Sequence, residues 1–221
     1  MKVIITGASG MIGKGVMLEC LDHPKITEAL VIVRRPMDEK HAKLKQLIHA
    51  DFADFSTAES ELKGYDACFH CMGVSAAGMN EAQYTNMTYN FSMALGKTLH
   101  AIAPEMTFLY VSGMGTDSTE KGRQMWARVK GKTENDLLKL GFRQAYMFRP
   151  GAIIPKRGVA PKAKATRIAL NLLGWILPLI KVLSPNSVTD TTKIGLSMIH
   201  VAMNGFDSSL LFPKDINKTG S

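Results

Sequence analysis

A glycine-rich stretch near the start of the chain restricts its fold more than any other feature. Residues Lys2–Thr6 are mostly apolar and β-branched, as in a buried parallel strand. Gly7, Gly10 and Gly13 follow, and an apolar helix-like stretch runs over 11–21. The start of a helix carries unpaired backbone N–H groups and a partial positive charge, so an anion is stabilised there. Strand, glycine turn and helix in this order predict a cradle for the pyrophosphate of a dinucleotide.

Strand-like and helix-like stretches alternate through the first 150 residues. Further strands are predicted at 29–33, 47–50, 66–71, 107–112 and 144–149, and further helices at 37–45, 80–103 and 121–140. This alternation is typical of an α/β protein with a doubly wound parallel sheet, the Rossmann arrangement, with helices on both faces.

The pattern changes after residue 150. A basic, proline-containing loop is predicted at 155–167, an apolar stretch at 168–180, a turn at 184–187 and a last helix at 188–204. We therefore predict a nucleotide-binding core over 1–150 and a small helical annex over 151–221 that packs on the core and is not independent. The apolar stretch is too short to span a membrane. We interpret it as a lid or a subunit contact, with peripheral membrane contact as the alternative.

Charge and cysteine content limit the partners and the compartment. The net charge of +8 is scattered along the 221 residues, which favours a small phosphorylated ligand over nucleic acid. The three cysteines give no disulfide framework, and the chain opens on a strand rather than a signal peptide, so a cytoplasmic location is predicted. We expect a small-molecule substrate of unknown identity, no nucleic acid, no transmembrane segment, and a monomer or homodimer.

Open parallel sheets bind ligands where their strands end, so the residues that follow each strand are candidate ligand contacts. Two arginines, Arg34 and Arg35, follow the second strand and would favour the 2′-phosphate of NADP over NAD; the alternative is a solvated pair. The other predicted cofactor contacts are Gly7, Ser9, Gly10, Met11, Ile12 and Gly13 in the cradle, Asp51 and Phe52 after the third strand, and Cys71, Met72 and Gly73 after the fourth.

The spacing of Cys68 and Cys71 is that of a metal or redox site. On a strand, however, side chains alternate between faces, so an odd separation sends the two thiols in opposite directions. No second pair lies nearby in the sequence. We predict no metal site.

The motifs together resemble those of the short-chain dehydrogenase/reductase superfamily, in its atypical or extended branch. The stretch Thr6-Gly7-Ala8-Ser9-Gly10-Met11-Ile12-Gly13 looks like the cofactor motif of that superfamily, and Asp51-Phe52 looks like its adenine-side acidic position. The short C-terminal annex is most similar to Tat-interacting-protein-like proteins, with NmrA-like proteins as neighbours. The resemblance implies a carbonyl-positioning role for Ser112, a ribose-binding role for Lys130 and cofactor contacts for Pro150 and Gly151.

One position departs from the superfamily pattern. Its catalytic pair is a tyrosine and a lysine four residues apart on one helix, but here Trp126 precedes Lys130 at that spacing. An indole N–H does not ionise usefully in water, so Trp126 cannot act as a general acid. Tyr110, Tyr146 and Asp117 are candidate substitutes, although strand and turn positions favour structural roles for them.

Two functions follow from these residues. The first is an NADP-binding oxidoreductase that reduces or epimerises a carbonyl or sugar-nucleotide-like substrate, with Ser112, Lys130 and Trp126 at the reacting end. The second is a cofactor-loaded sensor or scaffold with little turnover, which acts through a protein partner.

Overall fold

The computed structural model describes residues 1–160 and 187–221. Its main element is a seven-stranded parallel sheet. The strands of this sheet are β1 (Lys2–Thr6), β2 (Glu28–Val33), β3 (Leu44–Ile48), β4 (Ala67–His70), β5 (Thr107–Val111), β6 (Gln144–Phe148) and β9 (Leu210–Leu211). Their order across the sheet is β3-β2-β1-β4-β5-β6-β9. Two further strands, β7 (Ala152–Ile154) and β8 (Val188–Asp190), pair separately with each other.

Helices cover both faces of the sheet. They are α1 (Met11–Asp22), α2 (Glu59–Leu62), α3 (Glu81–Thr85), α4 (Phe91–Ile102), α5 (Met125–Lys139), α6 (Thr191–Asn204) and α7 (Pro213–Thr219). Alternate residues of β1 serve different cores: Val3 and Ile5 pack in the cluster that holds α1 and α6, whereas Ile4 packs with α4 and α5. Because both faces are buried, the central strands are mostly apolar. The predicted doubly wound Rossmann fold is confirmed.

The strand order reverses beside β1. From β1 the chain proceeds outward through β2 and β3, and it then returns to β4 on the other side of β1 before reaching β5 and β6. The loops after β1 and β4 therefore leave the sheet in opposite directions and open a crevice between them, which is where such sheets bind ligands.

The predicted helix at 37–45 is wrong. The side chain of Gln46 holds the backbone of Met37 in a loop: the Met37 N–H donates to Oε1 at 2.8 Å, and Nε2 donates to the Met37 carbonyl at 2.9 Å. The third strand accordingly begins at Leu44 rather than residue 47. Most of this segment is exposed, and helix propensity alone does not fold a segment that buries little.

The two long predicted helices are shorter or interrupted. The one at 80–103 contains a π turn at Asn86–Asn90, between α3 and α4. The one at 121–140 begins at Met125, because the Asp117 carboxylate accepts from the Gly122 N–H at 2.7 Å and holds the preceding residues in a loop.

The region after residue 150 contributes to the main sheet as well as to its cover. The short strand β9 was not predicted, and the predicted helix at 188–204 begins only at Thr191 because 188–190 form β8. Helix α6 packs against α1, and Arg157 pairs with Glu19 at 3.1 Å and with Asp22 at 2.6 Å. The division of the chain at residue 150 stays a prediction.

The rest of the predicted basic loop, the apolar stretch at 168–180 and most of the turn at 184–187 lie outside the described residues. Among the helices of 1–160 and 187–221, none is long and apolar enough to cross a membrane.

Candidate functional site

The glycine turn after β1 is shaped by close backbone contacts. Gly7 has a φ of +70°, and a Cβ at this position would lie 2.6 Å from the Cys71 carbonyl oxygen. A Cβ on Gly13 would lie 2.3 Å from the carbonyl oxygen of Gly7, so α1 can approach the turn only without that side chain. Helix α1 begins after Gly10 with no side chain capping it. Its first N–H groups are thus presented to an anion.

A cavity of about 590 Å³ lies at the carboxyl ends of the strands, above this turn. Of the residues predicted to contact the cofactor or substrate, it is lined by Gly7, Ser9, Gly10, Met11, Ile12, Arg34, Asp51, Phe52, Cys71, Met72, Gly73, Ser112 and Lys130. The fold therefore brings residues from five strand ends and from α5 to one place. This convergence is what the rule on strand ends leads one to expect.

Other predicted site residues lie elsewhere. Gly13 packs beneath the turn, and Gly151 packs against the Ser187 carbonyl, which a Cβ on Gly151 would approach to 2.2 Å. Pro150 accepts from the Met114 N–H through its carbonyl at 2.8 Å and does not line the cavity. Arg35 lines a second cavity, described below.

Several lining residues were not predicted from the sequence. They are Ile32, Val33, Ala50, Val74, Ser75, Met87, Phe91 and Val111. Some are simply the last residues of strands, which the strand-end rule could have included. Met87 lies in the π turn, and Phe91 directly follows it.

A second cavity of about 720 Å³ adjoins the first, since both are lined by Ser9, Val33 and Arg34. Arg35 and Lys14 add positive charge to it, and Asp38 and Glu39 add negative charge. Lys14 is ion-paired with Glu39, which lies on the far side of the loop that follows β2. Together with the contact between Gln46 and Met37, this pair holds the arginine-bearing loop over the start of α1.

Aromatic rings form the end of the first cavity near β3. Phe52 is largely buried, with its ring centroid 5.6 Å from that of Phe55 and 6.3 Å from that of Phe91. The adjacent Asp51 accepts from the Ala53 N–H at 2.9 Å through one carboxylate oxygen. Its side chain otherwise borders the cavity, where the other oxygen can accept from a ligand.

Ser112, the predicted carbonyl-positioning residue, belongs to a buried polar network. Its hydroxyl contacts the Glu134 carboxylate and lies 3.2 Å from the Phe148 carbonyl oxygen. Glu134 has no solvent exposure and forms an ion pair with Arg149, whose Nε lies 3.1 Å from each carboxylate oxygen. The serine hydroxyl is thus committed to acceptors inside the protein.

Lys130 lies where α5 faces the end of β5. Its Nζ donates to the main-chain carbonyl of Ser112 and lines the first cavity. Burial lowers the pKa of Lys130 to about 8, while the carboxylate of Glu134, one helical turn further along, acts in the opposite direction.

Trp126 does not line either cavity. It lies in the first turn of α5, and its ring packs against Gly115, where an added Cβ would lie 3.1 Å from the indole Cη2. The proposed substitutes are also elsewhere. Tyr110 is buried with its ring centroid 5.5 Å from that of His70, and the Tyr146 hydroxyl accepts from the Phe206 N–H at 3.0 Å. Asp117 caps its own loop.

The two cysteines at metal-like spacing lie on opposite sides of the sheet, as strand alternation predicts. Cys68 packs with α4 and α5, whereas the Cys71 thiol lies 4.0 Å from the Met198 sulfur on α6. Burial raises the pKa of both thiols. Within residues 1–160 and 187–221, no cluster of three or more potential metal ligands occurs.

His70 is fully buried at the end of β4 and links the glycine turn to the π turn. Its Nδ1 lies 2.8 Å from the Thr6 hydroxyl, and its Nε2 lies 2.9 Å from that of Ser92, which donates to the Thr88 carbonyl at 2.5 Å. Burial lowers the pKa of His70 to about 3, so its ring is neutral.

Comparisons with known proteins agree with this architecture. Residues 3–119 match the family described as NAD dependent epimerase/dehydratase family. The chain is 25% identical over 211 residues to "Protein FMP52, mitochondrial" of Candida albicans, covering 93% of this chain and 90% of that protein.

Two solved structures show the same fold. One is the ADP-L-glycero-D-manno-heptose-6-epimerase of Helicobacter pylori, with a TM-score of 0.68 and 13% identity, covering 91% of this chain and 72% of that one. The other is a short chain dehydrogenase family protein of Francisella tularensis, with a TM-score of 0.67 and 16% identity. The match covers 96% of this chain and 95% of that one.

The predicted cytoplasmic location is contradicted. Relatives from Candida albicans, Debaryomyces hansenii, Emericella nidulans and Eremothecium gossypii are each named as mitochondrial proteins. Cysteine usage reports whether a compartment is reducing, which does not distinguish the cytoplasm from other reducing compartments.

Proposed function

Because this chain belongs to the NAD dependent epimerase/dehydratase family, we propose that it is an NADP-binding oxidoreductase that reduces or epimerises a carbonyl or sugar-nucleotide-like substrate. Membership of this family means that the chain has an NAD(P)-binding Rossmann fold. The observation that carries the proposal is the pair of adjoining cavities above the uncapped start of α1. One of them is bordered by two arginines and a lysine as well as by two carboxylates, and the lysine is paired with one of these carboxylates.

The residues at the glycine turn fit a pyrophosphate. Side chains at Gly7 or Gly13 would fill backbone space, and the N–H groups at the start of α1 can donate to phosphate oxygens. Phe52 would stack on the adenine, and the carboxylate of Asp51 would accept from its amine. Lys130 would donate to the ribose hydroxyls. When bound, the nicotinamide would supply or take up a hydride. The protein promotes this transfer by aligning the cofactor with the substrate.

The preference for NADP rests on charge beside the adenosine end. Arg34 borders both cavities, and Arg35 and Lys14 border the second. Guanidinium groups form charge-assisted, often bidentate bonds with phosphate. The loop that carries them is held in place by Gln46 and by the pairing of Lys14 with Glu39, so little ordering would be required when a 2′-phosphate binds.

Substitution of Arg34 and Arg35 by alanine tests this preference. We expect the double variant to bind NADPH about 10- to 100-fold more weakly, because each lost charge-assisted bond contributes about 1.5–3 kcal/mol, partly offset by solvation and by Lys14. Binding of NADH should change less than about threefold. Fluorescence titration of both cofactors measures these affinities.

Arg143→Ala is the matched control. Arg143 is exposed just before β6, at the opposite edge of the sheet, so it removes positive charge without touching either cavity. NADPH affinity should be unchanged in this variant. Equal weakening of NADPH and NADH by the double substitution would refute the assignment to a 2′-phosphate.

The second candidate is a cofactor-loaded sensor or scaffold that acts through a protein partner. It is favoured by one observation: Trp126 replaces the phenol that would protonate the substrate, and its ring packs on Gly115 outside the cavity. NADPH consumption with a panel of aldehydes, ketones and quinones discriminates the candidates. Turnover by the wild-type protein, unchanged within about threefold in Trp126→Tyr, supports the oxidoreductase. NADPH binding without turnover in either protein supports the module.

A further inference from the structure

We propose that Lys130 is the proton donor to the substrate oxygen, a role beyond that of a ribose ligand. This inference rests on the proposed reductase function and names the group that completes its chemistry. It is carried by the position of Lys130 in the cavity, by its free donors and by the absence of a competing acid at the same end among the described lining residues.

The titratable side chains that line the first cavity are distributed along its length. Within the described part of the chain they are Arg34, Asp51, Cys71 and Lys130. Arg34 and Asp51 follow β2 and β3, on the adenosine side of the strand reversal, and an arginine does not release a proton. The Cys71 thiol faces Met198, and burial raises its pKa, so it is a poorer acid than an ordinary thiol.

The hydroxyl of Ser112 is not available as a substitute. It contacts Glu134 and the Phe148 carbonyl, and Glu134 is itself neutralised by Arg149. These contacts fix the end of β5 and present the Ser112 carbonyl, rather than its hydroxyl, to the ammonium of Lys130. The network therefore positions Lys130.

Lys130 retains donors for a ligand. An ammonium has three N–H groups, and in residues 1–160 and 187–221 its one hydrogen-bond partner is the Ser112 carbonyl. Ser112 is followed by Gly113, where an added Cβ would lie 4.0 Å from Nζ, so residue 113 has no side chain to cover the group. Two N–H groups remain, which allows one to bind a ribose hydroxyl and one to bind a substrate oxygen.

The charged surroundings keep the group close to its titration point. Glu134, on the same helix, is the carboxylate that acts on Lys130, and Arg149 at the end of β6 reduces its effect. Burial dominates and lowers the pKa of Lys130 to about 8. An acid whose pKa lies near neutrality is charged before reaction yet gives up its proton readily.

The step balances with a reduced nicotinamide cofactor as the co-reactant. The carbonyl carbon of the substrate gains a hydride from the cofactor, which is thereby oxidised. The electron pair of the carbonyl π bond moves to the oxygen, and that oxygen takes a proton from the Lys130 ammonium. The resulting neutral amine regains a proton from water.

The primary test needs no substrate. Trace labelling with acetic anhydride acylates only neutral amines, and peptide mass spectrometry resolves each lysine. In the NADPH complex we expect Lys130 to be labelled with a midpoint near pH 8, because its lowered pKa makes the neutral amine available at that pH. Exposed Lys139 is labelled in the same sample as the internal reference. An unreactive Lys130 in that complex, or a midpoint near pH 10.4 as in a free lysine, would overturn the proposal.

Two variants separate donation from binding. Lys130→Arg keeps the charge and the donors but cannot give up a proton, so NADPH affinity should stay within about threefold while reduction of 9,10-phenanthrenequinone falls about 100-fold or more. Lys130→Met should lose both, and Lys139→Met should lose neither. Unchanged reduction in Lys130→Arg would refute proton donation. Failure of the wild-type protein to bind NADPH would instead refute the proposed function.

Discussion

Gly7→Ala should abolish NADPH binding and strongly reduce the free energy of unfolding. At a φ of +70° an alanine costs about 1–2 kcal/mol in backbone strain. Its Cβ would also lie 2.6 Å from the Cys71 carbonyl oxygen, a contact between two backbone segments that no rotamer change can relieve. The end of β1 and the loop after β4 would have to separate, and these segments form the floor of the cavity. Urea unfolding and NADPH titration measure the two losses.

Gly64→Ala is the matched control for this prediction. Gly64 has a similar φ of +80°, but an added Cβ would meet nothing within 4 Å. It should therefore show only the cost of the backbone conformation, about 1–2 kcal/mol, and retain NADPH binding. If Gly7→Ala were no less stable than Gly64→Ala and bound NADPH equally well, the close approach of the two segments would not be a constraint.

Glu134→Ala should destabilise the protein by about 3–5 kcal/mol, because it leaves the Arg149 guanidinium buried without its carboxylate. The Ser112 hydroxyl loses an acceptor in the same variant. Replacing the whole pair, Glu134→Leu with Arg149→Met, should cost much less than the sum of the two single changes, since no unpaired charge remains. Denaturant unfolding of the four proteins gives this coupling directly.

The control for the buried pair is a surface pair on the same helix. Lys139 lies 3.3 Å from Asp136, and its side chain is 73% exposed. Lys139→Ala should change stability by no more than about 0.5 kcal/mol. Additive costs at Glu134 and Arg149 would mean that the pair does not interact energetically, and the ordering of Ser112 would need another cause.

The sequence predicted most of the central sheet because burial on both faces leaves an unambiguous pattern. Strands β1, β2 and β5 are mostly apolar runs, and each prediction matches the structure within one residue at either end. The two-residue strand β9 and the pairing of β7 with β8 were missed. A strand of two or three residues carries no periodicity, and its partner is distant along the chain.

At the site, the sequence indicates where backbone segments meet but does not indicate which partners the side chains take. The glycine turn and the strand ends converge on one cavity, as the topology requires. The hydroxyl of Ser112 was expected to face the substrate, but it contacts the buried carboxylate of Glu134, 22 residues further along. Nothing local to Ser112 indicates that partner. Likewise, the loop at 37–45 owes its conformation to Gln46, whose role appears only once β3 is in place.

The buried side chain of His70 connects two walls of the cavity by hydrogen bonds. The Ser92 hydroxyl has a single hydrogen, which goes to the Thr88 carbonyl, so Ser92 must accept from His70 Nε2. Nδ1 is then bare and must accept from Thr6. Each hydrogen along this line, which runs from Thr6 to the π turn that contains Met87, therefore has one acceptor. A continuous line of buried hydrogen bonds therefore links the glycine turn to the π turn. The shape of the cavity between them is set before a ligand binds.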